Sequence, residues 1–121
     1  MGITCTLKLP RNEMVKRFGE YQFISWSYTG FGDFTSDLEK LDVDWQAWND
    51  IGKAVDGRLE ISKDAIKRIL GACGEARAKL EQEKYSQKFT KNHLNMLKAQ
   101  LKTYAEFFTL ALENNLNVEC S

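Results

Sequence analysis

Apolar and polar positions alternate in two segments of the first half of the chain and recur at helical spacing in the second half. Residues 3–9 alternate as far as Pro10, and residues 21–28 (YQFISWSY) alternate with aromatic side chains on both faces. Alternation with a period of two, in β-branched and aromatic residues, predicts β-strands. Because both faces of 21–28 are apolar, we expect that strand to be central in its sheet or covered on both sides.

The rest of the first half predicts short helices separated by a loop. Residues 11–18 (RNEMVKRF) favour a short helix, and the glycines and small polar residues of 29–36 (TGFGDFTS) favour a loop. A further helix is predicted where apolar residues recur every three or four positions, at Leu41, Trp45, Trp48, Ile51 and Val55. It closes at Asp56-Gly57, after which residues 58–61 (RLEI) predict a short extended segment.

The second half predicts two long helices. Ser62 is a suitable N-cap for the first and Thr90 for the second, with a break in the polar residues 82–90. The first apolar stripe is Ala65, Ile66, Ile69, Leu70, Cys73, Ala76 and Leu80; the second is Leu94, Leu97, Leu101, Tyr104, Phe108 and Ala111. Gly71 and Gly74 interrupt the first stripe, which predicts a kink or the close approach of another backbone.

Residues after the second helix predict a return to the sheet. Asn114-Asn115 favour a helix end, and residues 116–120 alternate as an edge strand would. The predicted fold class is therefore α+β: a small antiparallel sheet from the N-terminal half, packed against helices, with a long C-terminal antiparallel helical hairpin. A length of 121 residues fits one domain, with strands and short helices in 1–61 and the hairpin in 62–121.

The cysteines and the hydropathy of the chain limit the cellular locations that we expect for the protein. Cys5, Cys73 and Cys120 are odd in number and widely spaced, so we expect neither a disulfide framework nor a structural zinc site. A reducing, cytoplasmic location fits best. No apolar run is long enough to span a membrane, and the start of the sequence lacks the pattern of a signal peptide. No metal or other cofactor is predicted.

Charge is balanced overall but unevenly distributed. Lys plus Arg and Asp plus Glu each number 17, which does not favour a dedicated basic nucleic-acid binder or an acidic DNA mimic. The acids concentrate in residues 33–60 and the bases in 61–104. The acidic segment overlaps the aromatic-rich segment 18–48, and an acidic rim around large aromatics suits a protein-binding surface.

These patterns predict a small non-enzymatic protein-interaction module, acting as an inhibitor or regulatory subunit. The candidate partner-binding residues are Phe31, Asp33, Phe34, Asp37, Trp45 and Trp48. The competing interpretation is that the aromatics form the core while the acids are solvated. A nucleic-acid-associated factor is the first alternative, using the basic residues Lys84, Lys88, Lys91, Lys98 and Lys102.

Two more alternatives follow from the same features. The basic hairpin and the heptad-like second stripe are compatible with a homodimer. A nucleotide or metabolite binder at the Gly30–Phe34 loop is the last alternative, although Thr35 stands where a dinucleotide loop has its third glycine.

The sequence contains few of the residues that catalysis requires. His93 is the only histidine, and its polar neighbours predict an exposed helix position. The acids Asp42, Asp44 and Asp50 are dense enough for paired-carboxylate chemistry, but acids near a helix start usually cap it. They do not form a calcium loop, because Ala47 stands where the glycine is required. We therefore expect no enzymatic activity.

Overall fold

The computed structural model describes residues 2–8 and 23–121, so the helix predicted over 11–18 lies outside the described residues. Within these described residues, four antiparallel strands form one sheet in the order β2-β1-β4-β3: β1 (Gly2–Leu7), β2 (Phe23–Ser27), β3 (Leu59–Ile61) and β4 (Val118–Cys120). The same residues contain five α-helices: α1 (Tyr28–Lys40), α2 (Asn49–Gly52), α3 (Lys63–Leu80), α4 (Glu83–Ser86) and α5 (Lys91–Glu113). The predicted α+β class with a C-terminal helical hairpin is confirmed.

The order of the strands corrects two predictions. β4 is not an edge strand, because it pairs with β1 on one side and β3 on the other. In the described part of the sheet, β2 is at an edge rather than central. Only its alternate residues Ile24 and Trp26 are buried, while Phe23 on the opposite face is 58% exposed. The aromatic residue Phe23 on the outer face of β2 is therefore exposed to solvent and not covered by another layer of structure.

The predicted loop over 29–36 is wrong, since these residues lie within α1. The side chain of Ser27 caps the helix by accepting a hydrogen bond of 2.9 Å from the Gly30 backbone N–H. A Cβ at Gly30 would lie 2.8 Å from that hydroxyl oxygen, so glycine makes room for the cap. Phe31, Phe34 and Leu38 recur at helical spacing and pack on the core, which offsets the low helix propensity of the two glycines.

Residues 45–56 are helical as predicted, but in three single turns. A 3₁₀ turn (Trp45–Trp48) leads into α2, and a second 3₁₀ turn (Lys53–Asp56) follows it. With three residues per 3₁₀ turn, the buried face passes to Ala54, and Val55 is 48% exposed. Gly57 ends the segment at φ 147°, a backbone conformation that other residues rarely adopt.

The two long helices agree with the prediction at their starts and in their buried faces. The hydroxyl of Ser62 accepts a hydrogen bond from the Ala65 N–H at 3.1 Å, and that of Thr90 accepts one from the His93 N–H at 3.2 Å. α3 and α5 pack on each other, with α4 in the turn between them. The prediction that another backbone approaches Gly71 and Gly74 closely is wrong, because a Cβ at either position would meet nothing within 4 Å.

The core lies between the inner face of the sheet and the helices, and most of the aromatic residues are part of it. Phe34 packs at 4.8 Å on Trp48 and at 5.1 Å on Tyr104, measured between ring centroids. Leu97, Leu101 and Phe108 of the second stripe are fully buried. The chain thus covers this stripe itself, and the stripe no longer argues for a homodimer.

A single disulfide joins Cys5 to Cys120, which the number and spacing of the cysteines did not predict. The two residues face each other on neighbouring strands, and both are completely buried. Sequence spacing gave no sign of this pair, because the topology of the sheet brings residues 115 positions apart into register. Cys73 is the free cysteine and is buried in α3. No helix in the described part of the chain is long and apolar enough to cross a membrane.

Candidate functional site

A groove of about 350 Å³ lies between α1 and α5 and contains three of the predicted partner-binding residues, Asp33, Phe34 and Asp37. We call it the α1–α5 groove. Its remaining lining residues are Gly30, Ser36 and Lys40 from α1, and His93, Met96 and Gln100 from α5. Residues three or four apart on a helix share a face, which is why both sets converge on one groove.

The α1–α5 groove is built around a hydrogen bond between the side chains of Asp37 and His93. The imidazole Nε2 lies 2.7 Å from the Asp37 Oδ2 and donates to it. Asp37 is only 4% exposed, while the His93 side chain is 35% exposed. Lys40 Nζ lies 4.0 Å from the other oxygen of Asp37. His93 is thus half-buried and partnered, which corrects the prediction of a simple exposed position.

The Thr90 cap determines where His93 lies. By starting α5 at Lys91, the cap places His93 in the first turn, where its side chain reaches across to the last part of α1. Phe89, just before the cap, packs its ring at 5.1 Å from the imidazole. The position of the histidine therefore follows from local helix-start chemistry together with the packing of α1.

An imidazole held by a carboxylate can accept or deliver a proton, and this is the only such pair in the described part of the chain. Nucleophilic catalysis would also need a hydroxyl or thiol bonded to the imidazole. Among the described residues, the only side-chain hydrogen bond of His93 is the one to Asp37. Burial raises the pKa of the Cys73 thiol to about 12, so this thiol is protonated and unreactive near neutral pH.

The predicted aromatic anchors do not form an exposed surface. Phe34 is 1% exposed and Trp48 is fully buried, so neither can contact a partner in this conformation. Phe31 and Trp45 are partly buried and pack against the core. Their apolar area stabilises the interior, which leaves Asp33 as the one predicted residue freely presented to solvent in the α1–α5 groove.

A second groove, of about 260 Å³, lies between α3 and α5 and is rich in basic residues. It is lined by Arg77 from α3, by Glu81 at the C-cap of α3, and by Lys98, Ala99 and Lys102 from α5; we call it the α3–α5 groove. Lys98 lies 3.5 Å from Glu81. Two of the five predicted nucleic-acid-binding residues, Lys98 and Lys102, therefore meet here, together with Arg77, which the sequence had not singled out.

The other predicted basic residues are arranged differently. Lys84, Lys88 and Lys91 do not share one helix, because the chain turns between α4 and α5. Lys84 and Lys88 place their ammonium groups 5.3 and 5.2 Å from the Tyr85 ring, and Lys88 also donates to the Lys40 carbonyl at 2.8 Å. Lys91 lies on α5, seven residues before Lys98 and hence on nearly the same face.

The acidic candidates for paired-carboxylate chemistry are separated by their own partners. Arg68 holds Asp44 through two bonds of 2.6 and 2.8 Å, and its guanidinium lowers the pKa of that carboxyl. Asp50 pairs with Lys53 at 3.3 Å. Within residues 2–8 and 23–121, no three His, Cys, Asp or Glu side chains are placed to hold a metal ion. A polar depression of about 400 Å³ lies beside these ion pairs, and three of the four charged side chains that line it, Asp50, Lys53 and Arg68, belong to them.

Sequence reasoning missed Met96, Gln100 and the partnered state of His93. The spacing of positions 93, 96 and 100 in the sequence indicates that they share a face of α5 outside its apolar stripe. The predicted loop over 29–36 offers no helix to pack against that face, so the sequence alone does not assign it a neighbour.

Comparison with protein-family models, curated proteins and solved structures found no match to this chain.

Proposed function

We propose that the protein is a non-enzymatic interaction module that docks the α1–α5 groove on a partner protein, as an inhibitor or regulatory subunit does. The observation that supports this most is the placement of Asp33 and Met96 at the rim of the groove, with the hydrogen-bonded Asp37–His93 pair between its two walls. Met96 is 51% exposed, a large apolar side chain with no core role.

The chemistry of the groove favours a lysine or arginine side chain of the partner. Such side chains bury an apolar stem and keep a charged head near acceptors. Met96 supplies the apolar contact, and methionine is enriched at protein interfaces. Asp33 forms no ion pair with any described residue, so its carboxylate is free to pair with the incoming cation.

The test is quantitative capture of binding proteins from the native cells with tagged wild-type protein and with the double variant Asp33→Lys, Met96→Glu. The variant reverses the charge and removes the apolar contact at the rim, so the specific partner should be lost. The matched control is Asp56→Lys, Val55→Glu, which makes the same kinds of change at exposed positions outside the groove. The control should retain the partner.

Three outcomes would count against this proposal. They are retention of the partner by the groove variant, equal loss of the partner in both double variants, and no protein enriched by the wild type. A nucleotide or metabolite in the same groove is the remaining alternative. A thermal-shift screen distinguishes it, since a ligand that raises the melting temperature of the wild type but not of the groove variant would assign the groove to a small molecule.

The cytoplasmic location stays a prediction, and the Cys5–Cys120 pair bears on it. Disulfides persist in oxidising compartments and are rare in the cytosol. Quenching intact cells in acid, alkylating the thiols under denaturing conditions so that buried cysteines also react, and then weighing the protein tells how many cysteines are free. A single alkylated cysteine supports an oxidising location, and three support the cytoplasm.

A further inference from the structure

The cations of the α3–α5 groove are concentrated and poorly neutralised. Arg77, Lys98 and Lys102 line it with one carboxylate, that of Glu81. Neither Arg77 nor Lys102 lies within ion-pair distance of a described carboxylate. Because the formal net charge of the whole chain is zero, this density reflects local placement and not a generally basic protein.

The positive charge continues along α5 beyond the groove. Lys91, Lys98 and Lys102 follow one another at intervals of seven and four residues, which keeps them near one face. At the rise of an α-helix, they cover about 16 Å. A row of this length spans several successive phosphates of one strand, which are spaced by about 3.4 Å along the axis of a duplex.

We propose that the α3–α5 groove, with Lys91 beside it, binds the phosphate backbone of a nucleic-acid duplex without reading its sequence. Lys98 and Lys102 of α5 contact one strand, and Arg77 of α3 supports them from across the groove. The contact is electrostatic and releases counterions, so the affinity falls steeply with salt.

The composition of the surface selects a duplex over the other polyanions. An acidic protein partner would need aromatic or large aliphatic anchors, and the only apolar residue lining this groove is Ala99. Single-stranded nucleic acid is bound by stacking its bases on aromatic side chains. None of the exposed large hydrophobic residues of the described chain lines this groove: Phe23, Tyr28 and Val55 lie on other elements, and Met96 of α5 lines the α1–α5 groove.

The test measures fluorescence anisotropy of labelled mixed-sequence DNA and RNA duplexes as the full-length protein is added, over a series of salt concentrations. For wild type, one phosphate contact from Lys91 and from each of the three cations of the α3–α5 groove predicts a slope of log K against log salt of about −3.6. The variant Arg77→Glu, Lys102→Glu should bind at least about tenfold more weakly at low salt, with a slope shallower by about two. Comparing the two duplexes tells which form is bound more tightly.

The charge-matched control is Lys53→Glu, Lys67→Glu, which changes two exposed lysines outside the groove. It should bind within about twofold of wild type, because the affected charges do not contact the backbone. Circular dichroism verifies that each variant is folded.

A second variant tests the same inference through a gain in affinity for the duplex instead of a loss. Glu81→Gln removes the one carboxylate of the α3–α5 groove, whose side chain is 75% exposed, and should strengthen binding by about twofold or more. The matched variant Glu39→Gln on α1 should leave the affinity unchanged. If the charge-reversal variant fails to fold, this pair alone decides the question.

Several results would overturn the inference. They are no binding of either duplex by wild type at low salt, equal weakening by the control lysine variant, and no gain from Glu81→Gln. Tighter binding of single strands than of duplexes would assign the surface to single-stranded nucleic acid. Binding of polyglutamate as tightly as of a duplex would assign it to an acidic protein. None of these results bears on the α1–α5 groove, so the two proposals fail separately.

Discussion

Asp37 is the one charged residue of the described chain that is buried, and His93 is its closest partner. Removing the imidazole by His93→Ala leaves a buried carboxylate with only Lys40, at 4.0 Å, for compensation. We expect a loss of about 2 kcal/mol in the free energy of unfolding. Asp37→Asn should cost less, about 1 kcal/mol, because the amide oxygen can still accept from Nε2.

Urea unfolding of the two single variants and of the double variant measures the coupling between these side chains. In the double variant no buried charge remains, so its loss should be smaller than the sum of the two single losses. Additive losses would mean that the pair contributes no interaction energy. Asn95→Ala, at an exposed position two residues after His93, is the control for general effects of substitution near the start of α5.

The raised pKa of Tyr104 predicts how the free energy of unfolding changes in alkaline solution. Burial raises the pKa of its hydroxyl from 10.0 to about 12. Between these values the unfolded chain has released the proton and the folded chain has kept it, so the free energy of unfolding falls as the pH rises. The slope for one such group is about 1.4 kcal/mol per pH unit.

Tyr104→Phe should therefore flatten the pH dependence of urea unfolding between about pH 10 and 12 by that amount. Part of the dependence should remain, because burial also raises the pKa of the Cys73 thiol from 9.0 to about 12. Tyr28→Phe, at an exposed position, is the matched control. An unchanged slope in the Tyr104 variant would show that its hydroxyl is accessible to solvent in the folded chain.

At the scale of elements, the long helices could be predicted from sequence because each of them is specified locally. The caps Ser62 and Thr90 satisfy backbone N–H groups of their own helices, and the apolar stripes point to one side. α1 could not be predicted in this way, since Gly30 and Gly32 lower its helix propensity. Its helical state depends on the Ser27 cap and on the burial of Phe34 and Leu38, which only tertiary packing provides.

Cap deletions test this local control of the long helices. Thr90→Ala should lower the free energy of unfolding by about 1 kcal/mol, because the His93 N–H loses its acceptor. Thr103→Ala, at an exposed position within α5, should be neutral or slightly stabilising, since alanine is the better helix former. Thermal unfolding of the two variants makes the comparison, and equal effects would contradict a specific role for the cap.

At the scale of the whole molecule, the sheet joins parts of the sequence that no local pattern connects. β4 occupies a central place between β1 and β3, although it is only three residues long and close to the end of the chain. Its burial at Val118 and Cys120 depends on neighbours more than fifty residues away. The α1–α5 groove also depends on tertiary packing, because its two walls form a groove only when α1 and α5 lie side by side.

The Cys5–Cys120 disulfide closes nearly the entire chain into one loop, and its largest effect should be on the unfolded state. Cross-linking residues this far apart removes chain entropy from the unfolded ensemble, for a stabilisation of about 2–5 kcal/mol. Reducing the wild type should therefore lower the urea midpoint, and Cys5→Ser, Cys120→Ser should lower it further, because two buried hydroxyls replace the thiols. Adding reductant to the double variant should change nothing, which separates the disulfide from other effects of the reagent. A wild type whose midpoint is the same with and without reductant would show that β4 is held in the sheet by packing and backbone hydrogen bonds alone.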